Sequence, residues 1–206
     1  MEDVRGLKEL QLDALREVAN IGAGHAATAL SQMTNHTIMI AVPEVNVRPL
    51  EEVTDLVGRP DEVVAAVLMH MMGDLTGRTL VLFPEGSART LCDILLRRSA
   101  GTTGEFGPME QSGLKEAGNI LASAYMNALS DFMGMMLVPS VPNLVIDISA
   151  AILTTTYLNF GHDRDFVFCV ETSFRVEGAV EPLRGHFLLL PDTPSLRAIF
   201  DAIRLP

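Results

Sequence analysis

The chain predicts an α/β (α+β) fold with internal duplication: one β-sheet drawn from both halves, two long helices packed on it, and shorter flanking helices. Three observations carry this. First, the 31 residues from Asp13 to Pro43 recur 99 positions later, from Ser112 to Pro142, with ten identities and no gap. The identical pairs are Leu15/Leu114, Glu17/Glu116, Asn20/Asn119, Ile21/Ile120, Ala23/Ala122, Ala29/Ala128, Leu30/Leu129, Ser31/Ser130, Val42/Val141 and Pro43/Pro142. A repeat takes precedence over other signals, because overlooking it misreads the architecture. Second, each copy opens with helical periodicity and continues into strand-like runs around a turn. Third, 48% of the 206 residues are hydrophobic and 20% charged. That suits one shared core better than two halves, each small for a core of its own. The expected organisation is a single domain of two repeats, about 8–100 and 107–206.

The helices come first. At about 100° per residue, Leu15, Val18, Ala19, Gly22, Ala26, Ala29, Leu30 and Met33 fall in one arc. Asp13, Glu17, Asn20 and Gly24 form a stripe opposite it. In the second copy the apolar arc is Leu114, Ala117, Gly118, Leu121, Tyr125, Ala128, Leu129 and Phe132, and the stripe is Ser112, Glu116, Asn119 and Ser123. Matches on the apolar arc need only packing to explain them. Matches at Glu17/Glu116 and Asn20/Asn119, on the outward side, do not. Asn is a poor residue for an exposed helix interior, since its side chain competes for the backbone. Its repetition there marks a candidate site.

After the first helix, Thr37 to Val42 reads as a strand, with a second extended piece beyond Pro43 to Val47. Pro49 to Val57 is a candidate short helix. Val63 to Met72 and Arg78 to Phe83 flank the turn Gly73-Asp74-Leu75-Thr76-Gly77, giving a hairpin. Ser87 is a candidate cap for a helix from Ala88 to Arg98. Gly101 to Pro108 reads as the linker between halves. The second half follows with a helix from about Met109 to Met133, a strand near Met136 and a helix over the apolar stretch Leu144 to Leu158. A hairpin of Phe166 to Val176 with Leu183 to Leu190 comes next, then a last helix from Pro194 to near Arg204.

Composition narrows the function. A net charge of −11 argues against nucleic acid as a partner. Two cysteines, Cys92 and Cys169, make no disulfide framework, so a reduced, cytoplasmic setting is expected. No signal peptide or membrane span is expected. Gly22-x-Gly24-x2-Ala27 lacks the strand that a dinucleotide fingerprint follows. Gly22 reads instead as a close-packing position, and Gly24 as open space beside the Asn. His25, His36, His70, His162 and His186 have no metal-ligand spacing, so no metal site is expected. The methionines read as core fillers.

Asp13-x3-Glu17-x2-Asn20 and Ser112-x3-Glu116-x2-Asn119, each followed by 22 residues to a proline, resemble the signature of the CheC/FliY/CheX family of chemotaxis phosphatases. The resemblance covers nearly the whole chain, and neither copy departs from the motif. Two intact motifs and the length resemble CheC-type members. FliY-type members carry an additional flagellar-switch domain, for which no residues remain, and CheX-type members arrange the motif differently. The resemblance implies hydrolysis of the phospho-aspartate of a CheY-like receiver domain. It implies that Asn20 and Asn119 orient the attacking water, and that Glu17 and Glu116 hold the receiver through its active-site lysine. Asp13, Gly24, Ser112 and Ser123 are then the flanking substrate contacts. It implies no cofactor on this chain, with Mg²⁺ held by the receiver. A second implied partner is the receptor deamidase CheD, with Asp147, on the apolar helix after the second motif, as candidate contact.

The residue chemistry is compatible with this. An Asn amide accepts a hydrogen bond from water and aims its oxygen, and a Glu pairs with a partner's cation. Phosphoryl transfer depends mostly on such positioning. The alternative is a non-catalytic adaptor that binds CheD or a flagellar switch component. A small-molecule enzyme in a cleft between the halves would need inward catalytic groups, which the sequence does not arrange. The internal two-fold is compatible with a functional monomer.

Overall fold

The computed structural model describes residues 9–49, 52–53, 59–158, 166–177 and 182–202. In chain order, α1 (Glu9–Thr34) leads to β1 (Ile38–Pro49), the hairpin of β2 (Val63–Gly73) and β3 (Gly77–Pro84), and α2 (Glu85–Leu95). The second half has α3 (Pro108–Met133), β4 (Leu137–Pro139), β5 (Asn143–Ile148), α4 (Ser149–Leu158), the hairpin of β6 (Phe166–Val176) and β7 (Leu183–Pro191), and α5 (Thr193–Ala202). Of the short helix expected over Pro49 to Val57, Glu52 and Val53 are helical. Pro49 instead ends β1, and residues 50–51 and 54–57, with the expected end near Arg204, lie outside the described residues.

One seven-stranded antiparallel sheet unites the halves, in the order β1-β6-β7-β3-β2, with the last edge shared by β4 and β5. The halves meet at β3 and β7, where Leu80 stands opposite Leu188 and Val81 opposite Phe187. They also exchange edges. First-half β1 pairs with second-half β6, and second-half β4 and β5 pair with first-half β2. Neither half completes its sheet alone.

The 99-residue offset of the helices also carries Ile38–Pro49 onto Leu137–Ile148, so β1 corresponds to β4 plus β5. The register of β1 shifts between Ala41 and Glu44, and β4 and β5 separate at Ser140 to Pro142. Both irregularities fall on the repeated Val-Pro, because proline has no N–H to give the ladder.

Side chains alternate between the two faces of the sheet. Ala65, Val67, Met69, Val81, Phe83, Phe168, Val170, Phe187 and Leu189 join the core beneath α1 and α3. Val64, Ala66, Leu80, Leu82, Cys169, Leu188 and Leu190 form the other face with Ile152 and Leu153 of α4 and with Val53.

Four expectations are corrected. The stretch from Leu144 to Leu158 is a strand followed by a helix. A continuous apolar run does not distinguish the two, and the free edge of β2 captures its first part, setting Leu144 against Val67. Ser149 opens α4 with its Oγ donating to the Arg59 carbonyl at 2.9 Å. Ser87 is not a cap: α2 begins at Glu85, and the Ser87 Oγ accepts the Arg184 N–H at 3.1 Å. Phe132 lies outside the buried arc, and Met39, Met72, Met109 and Met136 are exposed rather than core fillers.

The expected linker is bound, not loose. Asp93 is buried near the end of α2. Its carboxylate accepts the N–H groups of Gly101 (2.7 Å), Thr102 (3.2 Å) and Thr103 (2.8 Å), and the Thr103 hydroxyl (2.6 Å). Burial alone would raise its pKa, but these hydrogen bonds outweigh it and hold the carboxyl below the usual range. A depressed folded pKa means the stabilisation is present above the ordinary carboxylate value, about pH 4, and is lost as the pH falls through the folded value. Asp93→Asn removes one acceptor oxygen and leaves two of these four donors without it, so it should cost about 1–3 kcal/mol at neutral pH. Urea unfolding at pH 7 and pH 3 checks this: the gap between wild type and variant should be wider at pH 7 than at pH 3.

Candidate functional site

The two long helices are placed by their small residues. A Cβ at Gly22 would lie 2.7 Å from Tyr125 Cδ1 and 3.0 Å from Tyr125 Cα, so α1 and α3 touch there almost backbone to backbone. A Cβ at Gly118 would lie 2.6 Å from Val67 Cβ, so α3 sits flush on β2. Tyr125 fills the crossing. Its ring stacks on Phe187 at 4.7 Å, and its hydroxyl shares a 3.0 Å hydrogen bond with Thr172 Oγ1.

Both helices end alike. Asn35 (φ 58°) and Gly134 (φ 65°), equivalent in the repeat, take the left-handed conformation that closes a helix, and the Asn35 N–H donates to the Ser31 carbonyl at 2.9 Å. The repeated serines tie helix to strand. The Ser31 hydroxyl accepts the Ile38 N–H at 2.9 Å, and the Ser130 hydroxyl donates to the Met135 carbonyl. That accounts for the Ser31/Ser130 identity, to which the sequence alone attached no role.

With the apolar arcs fixed inward, the stripes face out. Asp13, Glu17, Asn20 and Gly24 are exposed, as are Ser112 and Glu116. Asn119 and Ser123 are half-buried, so the second stripe is the more recessed. Each stripe presents one unpaired carboxylate. Asp13 is held by Arg16 at 2.7 Å, an exposed pair of little energetic weight. Among the described residues, no side-chain hydrogen bond or ion pair engages Glu17, Asn20, Glu116 or Asn119. Their polar groups are therefore available to a partner. Beside them stands Ile21, 45% exposed, with its equivalent Ile120 half-buried. Asp147 is exposed too, but on edge strand β5 opposite Val64 rather than on a helix.

Chemically, the stripes offer a hydrogen-bonding amide and an anion, with no strong nucleophile. Among the described residues no group of three or more His, Cys, Asp and Glu is placed to hold a metal ion. Nor is any helix among them long and apolar enough to cross a membrane.

The profile of the CheC-like family matches residues 10–47 and 109–146, the two repeats with their following strands. The chain is 34% identical to the CheY-P phosphatase CheC of Bacillus subtilis, over 98% of each chain. Its fold is similar to the crystal structure of Thermotoga maritima FliY, with a TM-score of 0.79 at 20% identity, covering 96% of this chain and 98% of that one. It is also similar to a chain in the FliG–FliM complex of H. pylori, with a TM-score of 0.69 at 14% identity, covering 95% and 100%.

The stripe-bearing helix α1 sets opposite demands on two neighbouring glycines. Gly22→Ala should destabilise by about 1–3 kcal/mol, because the added methyl meets a ring and a backbone that cannot both retreat. At Gly24 a Cβ would have nothing within 4 Å, so Gly24→Ala should stabilise by about 0.5–1 kcal/mol through helix propensity. Thermal melts of both variants check the sign.

Proposed function

This chain belongs to the CheC-like family, and we propose that it hydrolyses the phospho-aspartate of a CheY-like response regulator at two helix-surface sites. The observation that carries this reading is the duplicated, outward and unpaired Glu and Asn, three residues apart on equivalent helices. The similarity to a CheY-P phosphatase along nearly the whole chain supports the substrate class.

In the proposed mechanism the helix lies across the receiver's active site. The Asn20 or Asn119 carbonyl accepts an O–H of water and aims the water oxygen at phosphorus. The new P–O bond forms as the acyl P–O bond breaks. The receiver's aspartate leaves as a carboxylate with the bonding pair, and the water proton ends on the released phosphate. Glu17 or Glu116 pairs with the receiver's active-site lysine, and Mg²⁺ is the receiver's own. This chain supplies orientation, the dominant contribution available when the chemistry lies in the partner. Asp13, Gly24, Ser112 and Ser123 flank the contact: Gly24 leaves clearance, and the two serines offer hydroxyls. CheD remains an implied second partner, with the exposed Asp147 as its candidate contact.

The test is phosphate release from a phosphorylated receiver. Asn20→Ala and Asn119→Ala should each leave the turnover of the other site, since each motif carries its own Glu and Asn and independent sites act additively. The double variant should still bind the receiver but lose about 100-fold in rate, the share typical of a positioned catalytic group. Binding by the wild type without any turnover would support the adaptor reading instead. Complete loss in either single variant would mean that one copy is structural. Glu17→Gln with Glu116→Gln should weaken receiver engagement by about 1–3 kcal/mol, with the melting temperature unchanged. Titration of the receiver under subsaturating conditions measures it, and unaltered kinetics would remove the Glu from the mechanism.

A further inference from the structure

The two sites stand on differently supported helix segments. Beneath the first motif lies an apolar cavity lined by Leu15, Val18 and Ala19 of α1, by the sheet, and by Tyr125 and Leu129 of α3, which lie past the second motif. Beneath the second, Gly118 lies against Val67 without a gap. The start of α3 is also tied down. Gly107 is its N-cap, Pro108 opens its first turn, and Glu110 follows, where a carboxylate reaches back to free N–H groups. Glu110 is buried, with one oxygen lying over Gly107 and the other bonded to Arg98 Nη1, just beyond the end of α2. Gly113 abuts Leu95, the last residue of α2, where a Cβ would lie 3.3 Å from Leu95 Cδ1. The intervening segment is pinned by Asp93 and by Arg89, which donates to the Thr103 carbonyl at 3.2 Å and lies 5.0 Å from the centroid of the Phe106 ring. Glu116 and Asn119 stand roughly two turns beyond Glu110 on the same helix.

We propose that the Arg98–Glu110 ion pair positions the second site, fixing the first turn of α3 to the end of α2 and thereby setting where Glu116 and Asn119 stand. The proposal rests on the phosphatase reading for its catalytic consequence, but not for its mechanical one. Helix α3 is continuous from Pro108 to Met133, so a first turn released from α2 loosens the helix toward the motif, as far as the Gly118–Val67 contact. A displacement of an ångström at an orienting group is enough to cost rate heavily. The first site lies on α1, which meets α3 at Tyr125, beyond the Gly118–Val67 contact.

Glu110→Gln and Arg98→Gln separate these roles when each is introduced into Asn20→Ala, which leaves the second site, and into Asn119→Ala, which leaves the first. The expected result is a fall in kcat of about tenfold for the second site alone, with the first site unchanged. Hydrogen exchange over residues 111–120 should quicken while exchange over 12–24 stays as in the wild type. Arg98→Lys, which keeps the charge, should recover part of the lost rate. Equal loss at both sites, or faster exchange in α3 with second-site turnover intact, would overturn the positioning role. Should the wild type release no phosphate from any receiver, the functional reading fails, and exchange alone decides the clamp: unchanged exchange over 111–120 would sink it.

Discussion

Everything at the surface of this protein follows from two long helices having to bury an apolar arc on the same face of one sheet. Helical geometry gives each a single inward side, and the rows beneath them are filled by Val67, Val81, Phe168, Val170 and Phe187. Rotation about either helix axis would lift Leu15 or Leu114, both buried, out of that layer. The outward stripe is therefore set by the core rather than by any contact of its own. A polar group that needs no partner within the fold is held at a defined orientation and left free for another molecule.

The same constraint explains why the chain is one unit rather than two. Each long helix is followed by an edge strand that pairs in the other half, β1 on β6 and β4 with β5 on β2. The Ser31 hydroxyl fastens its helix end to the first residue of the departing strand, and the Ser130 hydroxyl to Met135, two residues before β4. A displacement of α1 is thus felt at β6, in the second half, through β1. The two stripes are positioned by one continuous body although they belong to different copies of the repeat.

Much of this was legible in the sequence. The periodicity of the two copies gave the inward arcs at Leu15, Val18, Leu114 and Leu121, and the outward Glu17, Asn20 and Glu116. The Gly22 approach and the open space at Gly24 followed from the same wheel. The hairpins were visible as paired apolar runs, the first around the turn from Gly73 to Gly77. What failed did so for physical reasons. Leu144 to Ile148 is apolar almost throughout, and only the vacant edge of β2 makes it a strand. Ser87 resembled a cap because serine caps many helices, but the preceding Pro84-Glu85 already starts α2. Asn119 is more recessed than Asn20, and nothing in the wheel distinguishes them. The Arg98–Glu110 pair spans a segment that reads as a linker. The only local sign of it was an acid three residues after a glycine and directly following Pro108-Met109.

The differences between the copies carry as much information as the identities. Where α1 and α3 cross, Gly22 and Ala26 in the first copy correspond to Leu121 and Tyr125 in the second. Small residues on one helix thus accept large ones on the other, and the crossing needs that asymmetry, because two copies of Tyr125 cannot occupy one contact. The packing positions are free to diverge so long as they diverge together. Glu17/Glu116 and Asn20/Asn119 are under no such mutual requirement. Among the described residues, their side chains bond to nothing in the fold. Folding alone would let either pair differ, so their identity points to a demand imposed from outside the chain, made twice in the same chemical terms.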